Sequence, residues 1–160
     1  MIQTVTLIII VLLAFVDQLT KHFVVTNLAV GEGALRVEHF IEVRYVRNFG
    51  GMMGTFSGMG KLLGAATIII LAAGIILLMI KKIKPGVPYV CLTMIIAGGI
   101  GNLIDRIRLG YVVDFINVLF VDFYVFNFAD CLITVGAFLL VFYEIYQMVT
   151  DGKKKEKTDE

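Results

Sequence analysis

Two aspartates stand where a free carboxylate is costly. Asp114 lies in YVVDFI and Asp130 in FNFADCLI, and neither has an adjacent basic residue. Each therefore needs a partner or a proton. Two such carboxyls brought together would share one proton, because like charges at close range resist ionising together. That is the acid/base arrangement of an aspartic protease: one carboxylate activates water while the protonated one assists at the carbonyl. No serine, lysine or cysteine constellation competes. Ser57 is the sole serine, has no nearby base and lies outside any G-x-S-x-G elbow. Cys91 and Cys131 sit in apolar runs and read as small buried hydrophobes. His22 and His39 are isolated, and no Cys/His cluster has metal-ligand spacing. No metal or organic cofactor is implied.

Other polar residues stand at helical spacings. Asn102 precedes Asp105 and Arg106 by one turn, and Asn127 precedes Asp130 by three residues, so each set can share a helix face. Asp17 and Lys21, at i and i+4, can form a local ion pair, with the lysine snorkelling to the surface or holding a related structural role. Asp105 and Arg106 can hold a helix end and its loop together. Asn48 lies in a separate polar segment.

The elements that must position these groups are membrane spans. The chain has 160 residues, is 59% hydrophobic and 17% charged, and has a mean hydropathy of +0.91. Soluble domains lie nearer half apolar and a quarter charged. Four stretches are long enough to cross a bilayer as helices: about Thr4 to Val24, Leu62 to Ile80, Pro88 to Ile107 and Phe126 to Met148. The start lacks a basic n-region and an A-x-A-like site, and DQLTK comes next, so it reads as a retained first span. A net charge of +1 and the lack of RNA-binding or zinc-finger patterns argue against nucleic acid.

Residues 1–150 thus form one four-span domain, and 151–160 a solvated, disordered tail. The polar segment from Thr26 to Met59 contains RVEHFIEVRYVRN, which alternates in part with period two. Val37, Ile41, Val43 and Tyr45 fall on one face and Glu38, Glu42 and Arg44 on the other, which predicts a half-buried hairpin or small sheet at the membrane surface. GMMGTFSGMG comes after it as a flexible loop lying on the lipid or over a site. Gly60 with Gly64, and Ala97 with Gly101, have the spacing of close helix contacts, though glycine is also common in membrane helices generally. Four alternating spans put the end of the first, the end of the third and the start of the fourth on one side, so Asp17, Lys21, Asn48, Asn102, Asp105, Arg106, Asp114, Asn127 and Asp130 converge. The 14 basic residues split evenly between the two sides. The tight lysine clusters at 81–84 and 153–157 favour that side, with both termini, as cytoplasmic.

Two other classes remain open. A small proton- or ion-coupled carrier would also use intramembrane acids, but its site belongs near the midplane of repeated, broken helices, and no internal repeat is present. A structural subunit with buried ion pairs would match its acids to basic partners, and Asp114 and Asp130 have none evident in sequence.

DQLTK (17–21), RNFGGMMG (47–54), GGIGNLIDRIRLGYVVDFI (98–116) and FNFADCLITVG (126–136) resemble the lipoprotein signal peptidases, or signal peptidase II, over nearly the whole chain. The resemblance implies a monomeric bacterial inner-membrane enzyme of four transmembrane helices with both termini cytoplasmic. It implies a small extracytoplasmic β-cradle and a loop helix, fitting Thr26 to Met59. Such an enzyme removes signal peptides from diacylglyceryl-modified prolipoproteins, just before the lipidated cysteine, and is inhibited by globomycin. By position in these motifs Asp114 and Asp130 resemble the catalytic pair. Asn48, Asn102, Arg106 and Asn127 resemble residues lining the site, and Asp17, Lys21 and Asp105 supporting residues. RNFGGMMG departs from the family pattern, which usually has threonine where Phe49 stands, and small residues followed by phenylalanine at 51–53.

Overall fold

The computed structural model describes residues 1–50 and 60–156. The element order is α1 (Ile2–Asn27), β1 (Gly33–Val37), β2 (Ile41–Asn48), α2 (Gly60–Met79), α3 (Val87–Leu109), β3 (Val112–Val118) and α4 (Phe128–Glu156). The four helices are each long and apolar enough to cross a membrane. Each lies within a few residues of its predicted span, except that α4 continues to Glu156, into the segment expected to be disordered. Large apolar side chains such as Val11, Phe15, Ile69 and Phe142 point outward. An exposed apolar face is stable when the surrounding solvent is hydrocarbon.

Helix α3 is the axis of the bundle. Half of its span is buried, against 17–22% for the other three. Small residues explain how three helices reach it. A side chain added at Gly98 would strike the Ala129 carbonyl of α4, one at Gly99 the Leu71 side chain of α2, and one at Gly101 the Asp17 carboxylate of α1. Ala97 is fully buried. The small-residue pair predicted at Ala97 and Gly101 is thus a contact face. At Gly64, by contrast, no described atom lies within 4 Å of an added Cβ, so among the described residues that glycine marks no contact face.

Helix α3 begins with proline in its first turn and ends at Gly110, whose φ of 79° is left-handed, its N–H bonding the Arg106 carbonyl. Glycine at this position closes the helix and turns the chain sharply. The turn leads at once into β3, which completes a three-stranded antiparallel sheet in the order β1-β2-β3. The hairpin β1–β2 fulfils the sheet expected between Thr26 and Met59, and the loop region GMMGTFSGMG, with the loop helix expected alongside, falls largely or wholly on 51–59, outside the described residues. The expected division into an apolar face and a polar face does not hold along the whole of β2. The β2–β3 register shifts between Val43 and Val46, and Glu42 and Tyr45, three apart, are both buried. A bulge inserts one residue and re-aims the side chains beyond it. Glu42 is satisfied there by the Asn117 amide at 3.0 Å.

Candidate active site

Two connections draw strand β3 into the bundle. At its start the Val113 N–H donates to Asp105 Oδ2 of α3 at 3.0 Å. Further along, Ile116 and Phe126 form an isolated bridge that closes the 117–125 excursion. The bridge delivers the chain to the start of α4 beside β3, so Asn127 Nδ2 reaches Asp114 Oδ1 at 2.6 Å.

The sequence spacing places Asn127 and Asp130 on one helix face, but the structure corrects this: α4 starts at Phe128, so Asn127 is its N-cap and Asp130 its third residue. Asn127 Oδ1 accepts the Asp130 N–H at 2.9 Å, and Asp130 Oδ2 accepts the Asn127 N–H at 3.2 Å. This reciprocal pair is a capping box with aspartate in the place usually held by Glu or Gln. It sets the Asp130 carboxylate against the positive end of a helix, where negative charge is favoured. Its other oxygen accepts Asn102 Nδ2 at 2.8 Å.

The Asp114 carboxyl is 1% exposed. Its second oxygen accepts Asn48 Nδ2 at 2.9 Å, a diagonal neighbour across the β2–β3 ladder. Burial, reinforced by the Asp130 charge, pushes this carboxyl up to about 7, against the pull of the two amide donors and the Lys21 charge. The two acids thus share a cavity but differ in setting, one in a strand and the other at a helix N-terminus. The cavity has a volume of about 410 Å³ and is lined by Asn48, Asn102, Arg106, Asp114 and Asp130 together with apolar groups that include Val112, Phe123, Val125, Phe126 and Ile133. Arg106 Nη1 also donates to the Asn102 carbonyl at 3.4 Å.

Behind this wall lies a second polar layer. Lys21 is 2% exposed, which corrects the snorkelling reading. Its Nζ lies 2.8 Å from Asp17 Oδ2 and 3.0 Å from Asp105 Oδ2, and it donates to Asn102 Oδ1 at 3.0 Å. The predicted Asp17–Lys21 pair therefore exists, as part of a buried cluster. Asp17 Oδ1 accepts the Ala129 N–H at 2.9 Å, so α1 helps cap α4. Gln18 is the residue that sequence reasoning missed. Its Nε2 donates to Asp105 Oδ1 at 2.9 Å and to the Gly101 carbonyl at 3.1 Å. The signal was an uncharged amide inside an apolar span, beside Asp17 in DQLTK. All nine residues expected to converge do so at one end of the bundle.

The family model described as "Signal peptidase (SPase) II" matches residues 9–146. The chain belongs to the signal peptidase II family. Its relatives include the lipoprotein signal peptidase of Clostridium tetani, 36% identical over 154 residues, which are 94% of this chain and 97% of that protein. The lipoprotein signal peptidase of Lactococcus lactis subsp. lactis is 37% identical over 150 residues, with the same coverage of 94% and 97%. A solved structure described as a bacterial membrane enzyme, obtained by the in meso method, superposes with a TM-score of 0.84 at 31% identity, covering 91% of this chain and 90% of the other. A second of the same description gives 0.78 at 32% identity, covering 88% and 92%. By family the chain is a bacterial multi-pass membrane protein and a peptidase, with four membrane-spanning-length helices and a three-stranded sheet among the described residues.

Proposed function

We propose that this signal peptidase II is an aspartic endopeptidase that removes the signal peptide from diacylglyceryl-modified prolipoproteins, cutting just before the lipidated cysteine. The observation that carries the reading is the pair Asp114 and Asp130, lining one cavity from different elements with different hydrogen-bond partners. In this reading the Asp130 carboxylate takes a proton from water as its oxygen attacks the scissile carbonyl carbon. Asp114 gives its proton to the carbonyl oxygen. The tetrahedral diol then collapses: Asp130 gives the proton it took from water to the leaving amine of the lipidated cysteine, the C–N bond breaks, a diol hydroxyl returns a proton to Asp114, and the signal peptide leaves with a new carboxyl terminus. Asn48, Asn102 and Asn127 hold the acids apart in orientation, and Arg106 lines the cavity beside them. The apolar lining suits a signal helix and lipid tails, and fixing that substrate beside the acids is a proximity effect. The polar end faces the extracytoplasmic side and both termini the cytoplasm, as the lysine clusters favour. Globomycin-type peptides compete for the same cavity.

The test is cleavage by the purified protein in lipid of one prolipoprotein with and without its diacylglyceryl group. We expect cleavage of the modified form alone, with the lipidated cysteine as the new N-terminus by mass spectrometry. Equal cleavage of both forms would exclude the lipid-dependent specificity. Because Asp114 must hold its proton, kcat/KM should fall with rising pH above about 7, approaching tenfold per unit. An alkaline limb that persists unchanged in active Asp114 variants would remove that assignment.

A further inference from the structure

We propose that Lys21 is a positioning residue: by fixing which end of the Asn102 amide faces Asp130, it sets the hydrogen bond that holds Asp130 for reaction. This rests on the reading of Asp130 as catalytic.

A carboxamide can sit two ways in the same space, with its oxygen and nitrogen exchanged. At Asn102 the difference decides whether Asp130 meets a donor or an acceptor. Lys21 removes the choice. An ammonium has three donors and no acceptor, and all three have an oxygen partner here: Asp17 Oδ2 at 2.8 Å, Asp105 Oδ2 at 3.0 Å and Asn102 Oδ1 at 3.0 Å. Asn127 Nδ2 donates to that same Asn102 oxygen at 3.1 Å. Asn127 is itself held, because its Oδ1 accepts the Asp130 N–H. With its oxygen claimed by two donors, Asn102 must present Nδ2 to Asp130, at 2.8 Å. The exchanged orientation would set the Asn102 NH₂ against both the ammonium and the Asn127 NH₂, and its carbonyl oxygen against the Asp130 carboxylate. Each contact is repulsive in a low-dielectric setting. Lys21 thus acts on Asp130 through one side chain, without lining the cavity.

The competing explanation is charge balance, with Lys21 serving only to neutralise Asp17 and Asp105. Removing it alone does not decide, since two buried carboxylates would lose their partner and the fold could fail. The double variant Lys21→Met with Asp105→Asn, read against Asp105→Asn alone, does decide: the double variant keeps the net charge of the cluster while deleting the donor to Asn102, and the single variant carries the loss of an acceptor for Val113 or Gln18 with Lys21 in place. We expect the double variant to insert and to unfold within a few degrees of wild type. Its kcat for lipid-modified prolipoprotein should fall at least tenfold below that of Asp105→Asn, with KM within twofold and a displaced pH–rate profile. Asn102→Asp, of nearly the same shape, removes the amide donor without touching Lys21 and should show the same fall and displacement. Wild-type kcat and pH profile in the folded double variant or in folded Asn102→Asp, or a double variant no slower than Asp105→Asn, would overturn the proposal. Asp130→Asn is run in parallel. If it cleaves normally, the catalytic reading of Asp130 fails; if it is inactive while the Lys21 double variant is normal, only the positioning role falls.

Discussion

Asp130→Asn and Asp114→Asn are each expected to lower cleavage of lipid-modified prolipoprotein by on the order of 10³-fold, the scale of a lost general acid or base, while both proteins still insert. Cleavage at the wild-type rate by either would remove that residue from the chemistry. Their stabilities should diverge. Burial and the Asp130 charge push the Asp114 carboxyl up to about 7, against an ordinary value of 3.8. Between those values the folded protein binds more protons than the unfolded chain, so wild-type stability falls as pH rises through the window and levels off above it. The linked loss is on the order of 4 kcal/mol. Asp114→Asn lacks that slope, and its Tm should fall less than that of wild type between pH 5 and pH 8. Asp130→Asn behaves differently. Two donors, Asn102 Nδ2 and the Asn127 N–H, meet separate oxygens of Asp130, and asparagine offers only one. Its Tm should drop modestly at every pH.

Gly98→Ala is expected to disable the enzyme from outside the cavity. The added methyl would overlap the Ala129 carbonyl oxygen and come within 2.9 Å of Ile133 Cγ1. The first of these is backbone at the start of α4 and cannot swing aside as a side-chain tip can. Helices α3 and α4 must separate, at a cost of about 1–3 kcal/mol for such overpacking. The same displacement stretches the Asn102–Asp130 bond, which spans those two helices at 2.8 Å. A misplacement of about 1 Å can cost about 10²-fold in rate, so kcat should fall at least tenfold along with Tm. Gly64→Ala is the matched control. It meets nothing within 4 Å among the described residues, and alanine is favoured over glycine in a helix by about 1 kcal/mol, so rate and Tm should hold or rise slightly. Equal behaviour of the two variants would show that the close approach at Gly98 does not set the site.

The spans were legible because hydropathy over about 20 residues is a composition signal that tertiary context does not override. The convergence of polar residues was legible for a related reason: alternating spans fix which ends share a side. Strand β3 was less so. VVDFINV is a continuous run rich in β-branched and aromatic residues, a strand signal, yet its aspartate draws attention to chemistry before structure. The role of Asn127 turned on a two-residue difference in where α4 begins, the least certain feature of any sequence reading. Face alternation in β2 failed at a bulge, which no period can announce. Lys21 illustrates a subtler limit. A lysine near a helix end reads as snorkelling until the acid that buries it, Asp105, is seen to arrive from another helix.

The Ala129 N–H donates to Asp17 of the first helix, and this has a meaning for biogenesis. The chain enters the membrane from its N-terminus, so its opening span carries an acceptor whose donor is made more than a hundred residues later. Until then Lys21 can pair with Asp17 and, once α3 is made, with Asp105 and Asn102, but Asp114 has no second acid. If Asp114 and Asp130 act as proposed, the pair is completed only by α4: a nascent chain holding three helices has a lysine-neutralised seam but one acid of the two. On the proposed mechanism, then, the order of synthesis leaves a chain unable to cut until α4 is in place.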